Sequence, residues 1–140
     1  MVDLGEAMVK PETSIRVLGL HIDGKLRWGP HLAKTKAKMA TQTLGLSVVA
    51  GSTWGAILSK ARQVYSAVVR PAMTYVAGSW HNPRGTPGSN RTKVKVLEKI
   101  QNQCLRTVFR AFKVTSVTVL EAEARIPPIE IHLDQLVIRA

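Results

Sequence analysis

Between Gly24 and Leu120 the chain carries sixteen cationic side chains, from Lys25 and Arg27 through to Arg110 and Lys113, and a single acid, Glu98. Ammonium and guanidinium groups gathered in this way do one kind of chemistry unaided, which is to bind anions. A field so one-sided costs self-repulsion unless something anionic offsets it, and phosphate is the counter-charge it fits. Other chemistries are poorly provided for. Two-metal phosphoryl transfer needs clustered carboxylates, yet no acid stands between Gly24 and Leu97 and no two aspartates form a pair. His21, His31, His81, His132 and Cys104 show no metal-ligand spacing. Gly85 and Gly88 follow no strand and match no phosphate loop. No Ser, Thr or His belongs to a recognisable nucleophile motif. The expectation is a chain with no catalytic residue, no metal site and no cofactor of its own.

The elements that must carry these cations are mostly helical. With 140 residues, 45% of them hydrophobic, a net charge of +11 and a pI near 10.4, the chain is long enough for one helical core and too apolar for a disordered basic tail. One compact unit is the default. Cys104 falls within an apolar helical pattern and reads as a reduced core residue. The longest apolar stretch, Val64 to Trp80, is broken by Arg70-Pro71, and no basic start followed by an apolar run opens the chain. A soluble, intracellular protein of cytoplasm or nucleus, without a membrane partner, is expected.

Residues 1–13 lack periodicity and read as a loose lead-in. In residues 14–29, Ile15, Val17, Leu26 and Trp28 alternate with polar neighbours around Asp23-Gly24, which predicts a hairpin turning at that dipeptide with a bulge or a close backbone approach at Gly19. Gly29-Pro30 opens residues 30–80, a helical region. Its first helix, His31 to about Ala50, turns Leu32, Met39, Leu46 and Val49 inward. Ser52 or Thr53 caps a second, with Trp54, Ile57, Leu58, Ala61, Val64, Tyr65 and Val68 as its apolar stripe. Pro71 kinks or restarts it. Residues 81–92 form a basic Pro/Gly loop. Residues 93–140 hold a helix to about Phe112, buried at Leu97, Ile100, Cys104, Leu105, Val108 and Phe112, a short helix capped by Ser116 with Glu121 and Glu123 outside, and a last helix after Pro127-Pro128 containing Leu133, Leu136 and Val137. The fold class is mainly α, an N-terminal β-hairpin followed by a small bundle of about five helices.

Each lysine or arginine that meets a phosphate releases a condensed counterion, and helices with one apolar and one basic face can lie along a strand while docked on a core. Lys25, Arg27, Lys34, Lys38, Lys60, Arg62, Lys95, Lys99, Arg106 and Arg110 are the candidate nucleic-acid contacts. Lys34, Lys38, Arg106 and Arg110 lie off the apolar stripes, so their removal is expected to leave folding untouched. Trp28, Trp54, Tyr65, Tyr75 and Trp80 read as packing residues rather than base-stacking platforms. A solvated face on a free-standing helical interaction protein, and an independent small nucleic-acid-binding protein, stay open as alternatives.

Three blocks carry a resemblance. Ile15-Arg-Val-Leu-Gly-Leu-His-Ile-Asp-Gly-Lys-Leu-Arg-Trp-Gly-Pro-His31 resembles the segment after the palm of non-LTR (LINE-like) retrotransposon reverse transcriptases, where a Leu-Gly hairpin precedes a Trp-x-x-His entry into the thumb. Val68 to Trp80 is similar to that family's Val-x-Pro-x-x-x-Tyr stretch. Leu97-Glu-Lys-Ile-Gln-Asn-Gln-Cys-Leu-Arg106, with Leu120-Glu-Ala-Glu-Ala-Arg-Ile-Pro-Pro128, resembles its Leu-x-x-Ile-Gln helix and the Glu-Ala-x-(aliphatic)-Pro-Pro continuation. The resemblance implies a primer grip at Leu18 and Gly19 and thumb and connection helices after it. It also implies an RNA/DNA primer-template and an upstream palm as partners, with Mg²⁺ held by the parent polymerase. The palm's Tyr-x-Asp-Asp is absent, since Tyr65 is followed by Ser-Ala-Val and Tyr75 by Val-Ala-Gly. The RNase H carboxylates are missing as well.

Overall fold

The computed structural model describes residues 2–3, 5, 8–51, 58–84 and 91–140. These fall into two compact units, Met1–Lys34 and Thr35–Ala140, where the sequence suggests one. In the first unit, the expected lead-in forms a minimal antiparallel ladder of β1 (Val2–Asp3) and β2 (Met8–Val9). A hairpin follows, β3 (Ser14–Val17) against β4 (Leu20–Asp23), with Ser14 opposite Asp23 and Val17 opposite Leu20.

The hairpin therefore turns at Leu18-Gly19, and Asp23-Gly24 lies beyond it. Leu18 (φ 49°) and Gly19 (φ 85°) both occupy the left-handed region, as a two-residue primed turn demands. Gly19 is the turn residue rather than a bulge. Asp23 instead folds the chain into the next helix, because its carboxylate accepts from the amides of Arg27 (3.2 Å) and Trp28 (3.0 Å). Desolvation acts upward on this carboxyl, but the backbone donors, Arg27 and Trp28 foremost, outweigh it and hold its pKa below the ordinary value.

Helix α1 runs Gly29–Gly51. In its first turn, within the first unit, buried His31 meets the Trp28 ring edge-on at 6.2 Å, so the Trp-x-x-His spacing is a packing device here. Burial, aided by the neighbouring His21, pushes the His31 pKa down.

In the second unit, α1 buries Met39, Thr43 and Leu46, while Val49, expected inside, is exposed. Helix α2 (Leu58–Val64) continues into a π-turn, Tyr65–Val69, and then α3 (Arg70–Met73). The proposed caps Ser52 and Thr53, with Trp54 and Ile57, lie outside the described residues. Pro71 explains the π-turn, because proline offers no N–H to the preceding turn and its ring crowds the carbonyl four residues back. The Arg70 amide reaches back to the Tyr65 carbonyl, and the inward stripe becomes Ala61, Tyr65, Val69, Met73, Ala77. Val68, expected inside, faces solvent. A short 3₁₀ turn, Ala77–Ser79, follows. Trp80 is buried but Tyr75 is half exposed, against its expected packing role.

Helix α4 spans Arg91–Phe109 and turns Val94, Leu97, Ile100, Gln101, Cys104, Leu105 and Val108 into the core. Arg110 (φ 51°) ends it, so Phe112 lies past the helix and is 82% exposed instead of buried. Helix α5 (Val117–Ala124) begins after Ser116, which makes no side-chain cap bond, and helix α6 (Ile129–Arg139) buries Ile129 and Leu133 while Leu136 is exposed.

A buried polar relay joins these helices. Tyr65 Oη donates to Gln101 Oε1 at 2.9 Å, and Gln101 Nε2 donates to Glu121 Oε1 and to the Pro127 carbonyl, each at 3.1 Å. Tyr65 is 0% and Gln101 1% exposed. Burial raises the tyrosine's pKa far out of reach of titration. Glu121, expected outside, is half-buried. Its pKa is raised by burial and by the charge of Glu98, with the Gln101 bond opposing. At the far end, His81 Nε2 lies 2.7 Å from Asp134 Oδ1 and Arg84 Nε donates to Oδ2 at 3.1 Å, tying residues 81–84 to α6.

Tyr65→Phe keeps the ring and strands the Gln101 amide oxygen without its donor, so it should cost about 1–3 kcal/mol, read from the denaturant midpoint at constant slope. Burial, together with His21 for His31 and with Arg70 for His132, holds both imidazoles below the ordinary 6.5. The unfolded chain therefore takes up these protons first, and the stability present above 6.5 is lost as pH falls below it. The melting temperature should drop between about pH 7.5 and about pH 5.5, and the His31→Gln/His132→Gln double variant should flatten that dependence.

Candidate nucleic-acid interface

The proposed cations divide by what they already hold. In the first unit Lys25, Arg27 and Lys34 are exposed. The hairpin tip Leu18, 86% exposed, and Gly19 project from the same unit's ladder.

In the second unit Lys38 stands exposed on α1, Lys60 and Arg62 on α2, Lys95 and Lys99 on α4, and Arg110 just beyond α4. Lys95 and Lys99 are one turn apart, hence on one face. Helices α1 and α4 are joined by the Thr43 hydroxyl and the Cys104 thiol at 3.3 Å, and Thr43 also donates to the Met39 carbonyl. Burial raises the thiol's pKa, with the Thr43 bond opposing, as befits a packed, unreactive cysteine. Outside this junction the helices leave a groove of about 200 Å³ with Lys36 and Lys99 on its walls and Met39, Val96 and Ile100 beneath. Ala40, Thr43 and Gln103 continue it toward Leu44, Ser47 and Thr107. Two ammonium groups over an apolar floor, with the Gln103 amide beyond, suit the backbone of a strand, while the Thr43, Ser47 and Thr107 hydroxyls already donate to the Met39, Leu44 and Gln103 carbonyls. Lys36 is not among the sequence candidates, and only its position beside α4 distinguishes it.

Arg106 and Arg62 are committed elsewhere. A single Arg106 guanidinium nitrogen donates to the carbonyls of Lys113 (3.2 Å) and Thr115 (2.9 Å), closing the turn between α4 and α5. Arg106 thus has a structural role, contrary to the expectation that folding would not notice its loss. Arg62 donates to the Ala124 carbonyl at 3.2 Å, which caps α5. It lies in a cleft with Arg70 and Arg125, neither of them singled out by the sequence. Among the described residues no group of three or more His, Cys, Asp or Glu side chains is placed to hold a metal ion, and no helix is long and apolar enough to cross a membrane.

Over 132 residues, 94% of this chain, 26% of positions are identical to the "Retrovirus-related Pol polyprotein from type-1 retrotransposable element R1 4" of Nasonia vitripennis. The chain is similar to a retrotransposon polyprotein. It spans 32% of that relative's length. No protein-family model matches it, and no solved structure matches it.

Arg106→Ala should lower stability by about 1.5–3 kcal/mol, since bonds from a charged donor to two carbonyls disappear. Lys95→Ala and Lys99→Ala should each stay within about 0.5 kcal/mol of the wild type. Thermal melts followed by circular dichroism separate the two classes.

Proposed function

We propose that this chain is the nucleic-acid-positioning thumb and connection portion of a retrotransposon RNA-directed DNA polymerase. In this reading the Leu18-Gly19 hairpin is its primer-grip element, and the basic faces of α1 and α4 hold the primer-template backbone. The observation that carries the reading is the one-sided field: sixteen cations and one acid over Gly24 to Leu120, with Lys36 and Lys99 on a shared groove. The likeness to the retrotransposon polyprotein supports it, as does the hairpin tip. A leucine at positive φ costs roughly 1–2 kcal/mol, and an exposed aliphatic side chain held there suits a contact outside the hairpin.

Cations spread over helix faces, rather than a helix shaped to a groove, give contacts to phosphate and sugar that position without reading sequence. The chain would hold nucleic acid for carboxylates and Mg²⁺ supplied by a palm domain.

Titration with RNA/DNA hybrid at two salt concentrations should show affinity falling steeply as salt rises, with little dependence on sequence. The Lys36→Gln/Lys38→Gln/Lys95→Gln/Lys99→Gln variant should flatten that slope by about one for each phosphate-binding lysine removed, while melting as the wild type does. Salt-independent binding, or a slope untouched by the four substitutions, would make the basic faces solvated surface and favour the interaction-protein reading.

A further inference from the structure

A second positively lined site lies away from the α1/α4 groove. Where α2 and its π-turn pass the end of α5, an open cleft of about 580 Å³ is lined by Arg62, Arg70 and Arg125 with Ser59, Gln63 and Ser66. Ser59, Arg62, Ser66 and Arg70 follow one another at three- and four-residue steps, one place round from the buried stripe Ala61, Tyr65, Val69. They form the polar counterpart of that stripe. Arg125 comes from the opposite wall, where its positive φ of 52° turns the chain out of α5. Its amide bonds the Ala122 carbonyl and the Ile126 amide bonds that of Glu121.

None of the three arginines forms an ion pair with an acid among the described residues, where Asp134 takes His81 and Arg84. Glu121 is occupied by Gln101. The C-terminus of α5 does offer the cleft a partial negative charge, which Arg62 meets through the Ala124 carbonyl. A helix end contributes only about half an elementary charge, so three guanidinium charges exceed it several-fold. Guanidinium forks with hydroxyl and amide donors between them match a tetrahedral oxyanion.

We infer that this cleft is a phosphate-binding site, taking a phosphoryl group between Arg70 and Arg125 with Arg62, Ser59 and Ser66 alongside. The assignment goes beyond the primer-template reading, because the cleft is defined by the phosphoryl group whichever molecule carries it. A nucleic-acid strand and a free polyphosphate are its two sources.

The test follows the arginine side-chain ¹⁵N–¹H resonances of the 140-residue chain during titration with inorganic pyrophosphate, then with a short single-stranded oligonucleotide. Saturable shifts at Arg62, Arg70 and Arg125 are expected. The Arg70→Gln/Arg125→Gln variant should bind pyrophosphate about tenfold more weakly or worse, as befits the loss of charge-assisted bonds. The Lys113→Gln/Arg139→Gln variant removes the same charge from other exposed positions and should bind normally. Shifts that never saturate, or equal loss in both variants, would overturn the site in favour of bulk charge. If the first variant unfolds, saturation at the three wild-type arginines decides alone. An oligonucleotide that displaces pyrophosphate identifies a strand as the source. Pyrophosphate binding without oligonucleotide binding supports the cleft with a free anion as its ligand, while the RNA/DNA hybrid titration decides the primer-template reading separately.

Discussion

The second unit depends on one buried amide. Gln101 sits on α4 where an aliphatic residue would suit the stripe, and it satisfies three partners at once: the Tyr65 hydroxyl, the Glu121 carboxylate and the Pro127 carbonyl. A buried polar group without partners costs more than a bond gains, so such a residue is tolerable only if the surrounding elements hold one arrangement. The relay selects the position of the π-turn against α4, and of α5 and the Pro127-Pro128 corner against both. The two walls of the arginine cleft are these same two elements. Core specificity and cleft geometry therefore have a common origin.

The π-turn is where local covalent constraint enters that arrangement. Proline at position 71 cannot continue an ordinary α-helical ladder, and the extra residue per turn moves Val69 inward in place of Val68. Without that shift, eight residues of ordinary α-helix would set Met73 well round from Tyr65. Ser66 and Arg70 are carried to the cleft side by the same step. A feature required by one ring thus places polar side chains as well as apolar ones.

Much of this is legible in the sequence. The apolar stripe of α4 and the helical class follow from spacing alone, because burial of a helix face imposes its period on the residues. Two of the misreadings share a cause, which is a residue other than glycine at positive φ. Leu18, with Gly19, carries the hairpin turn that the sequence pattern assigns to Asp23-Gly24, and Arg110 ends α4 before Phe112 can be buried. Gln101 and Glu121 are visible within the resemblance motifs but not as partners, since a hydrogen bond across twenty residues leaves no periodic trace. Arg70 and Arg125 fall outside the candidates because a cleft is made by two walls, and spacing describes only one.

Basic character is consequently not one property in this chain. Arg62 and Arg106 each donate to carbonyls, where their charge meets helix and turn ends and their rigid forks hold two segments together. Arg84 balances Asp134, whose pKa is held low by His81 and Arg84 against the upward pull of burial. Lys36, Lys38, Lys95 and Lys99, by contrast, are exposed on α1 and α4, and ammonium groups on flexible stems lose little by staying solvated. The division follows position: Arg62, Arg84 and Arg106 meet acceptors within the fold, Arg70 and Arg125 line a cleft, and these lysines stand on the open helix faces. A charge count along the sequence weighs them equally, although a guanidinium donating to neutral carbonyls keeps its charge, whereas Arg84 shares its charge with Asp134.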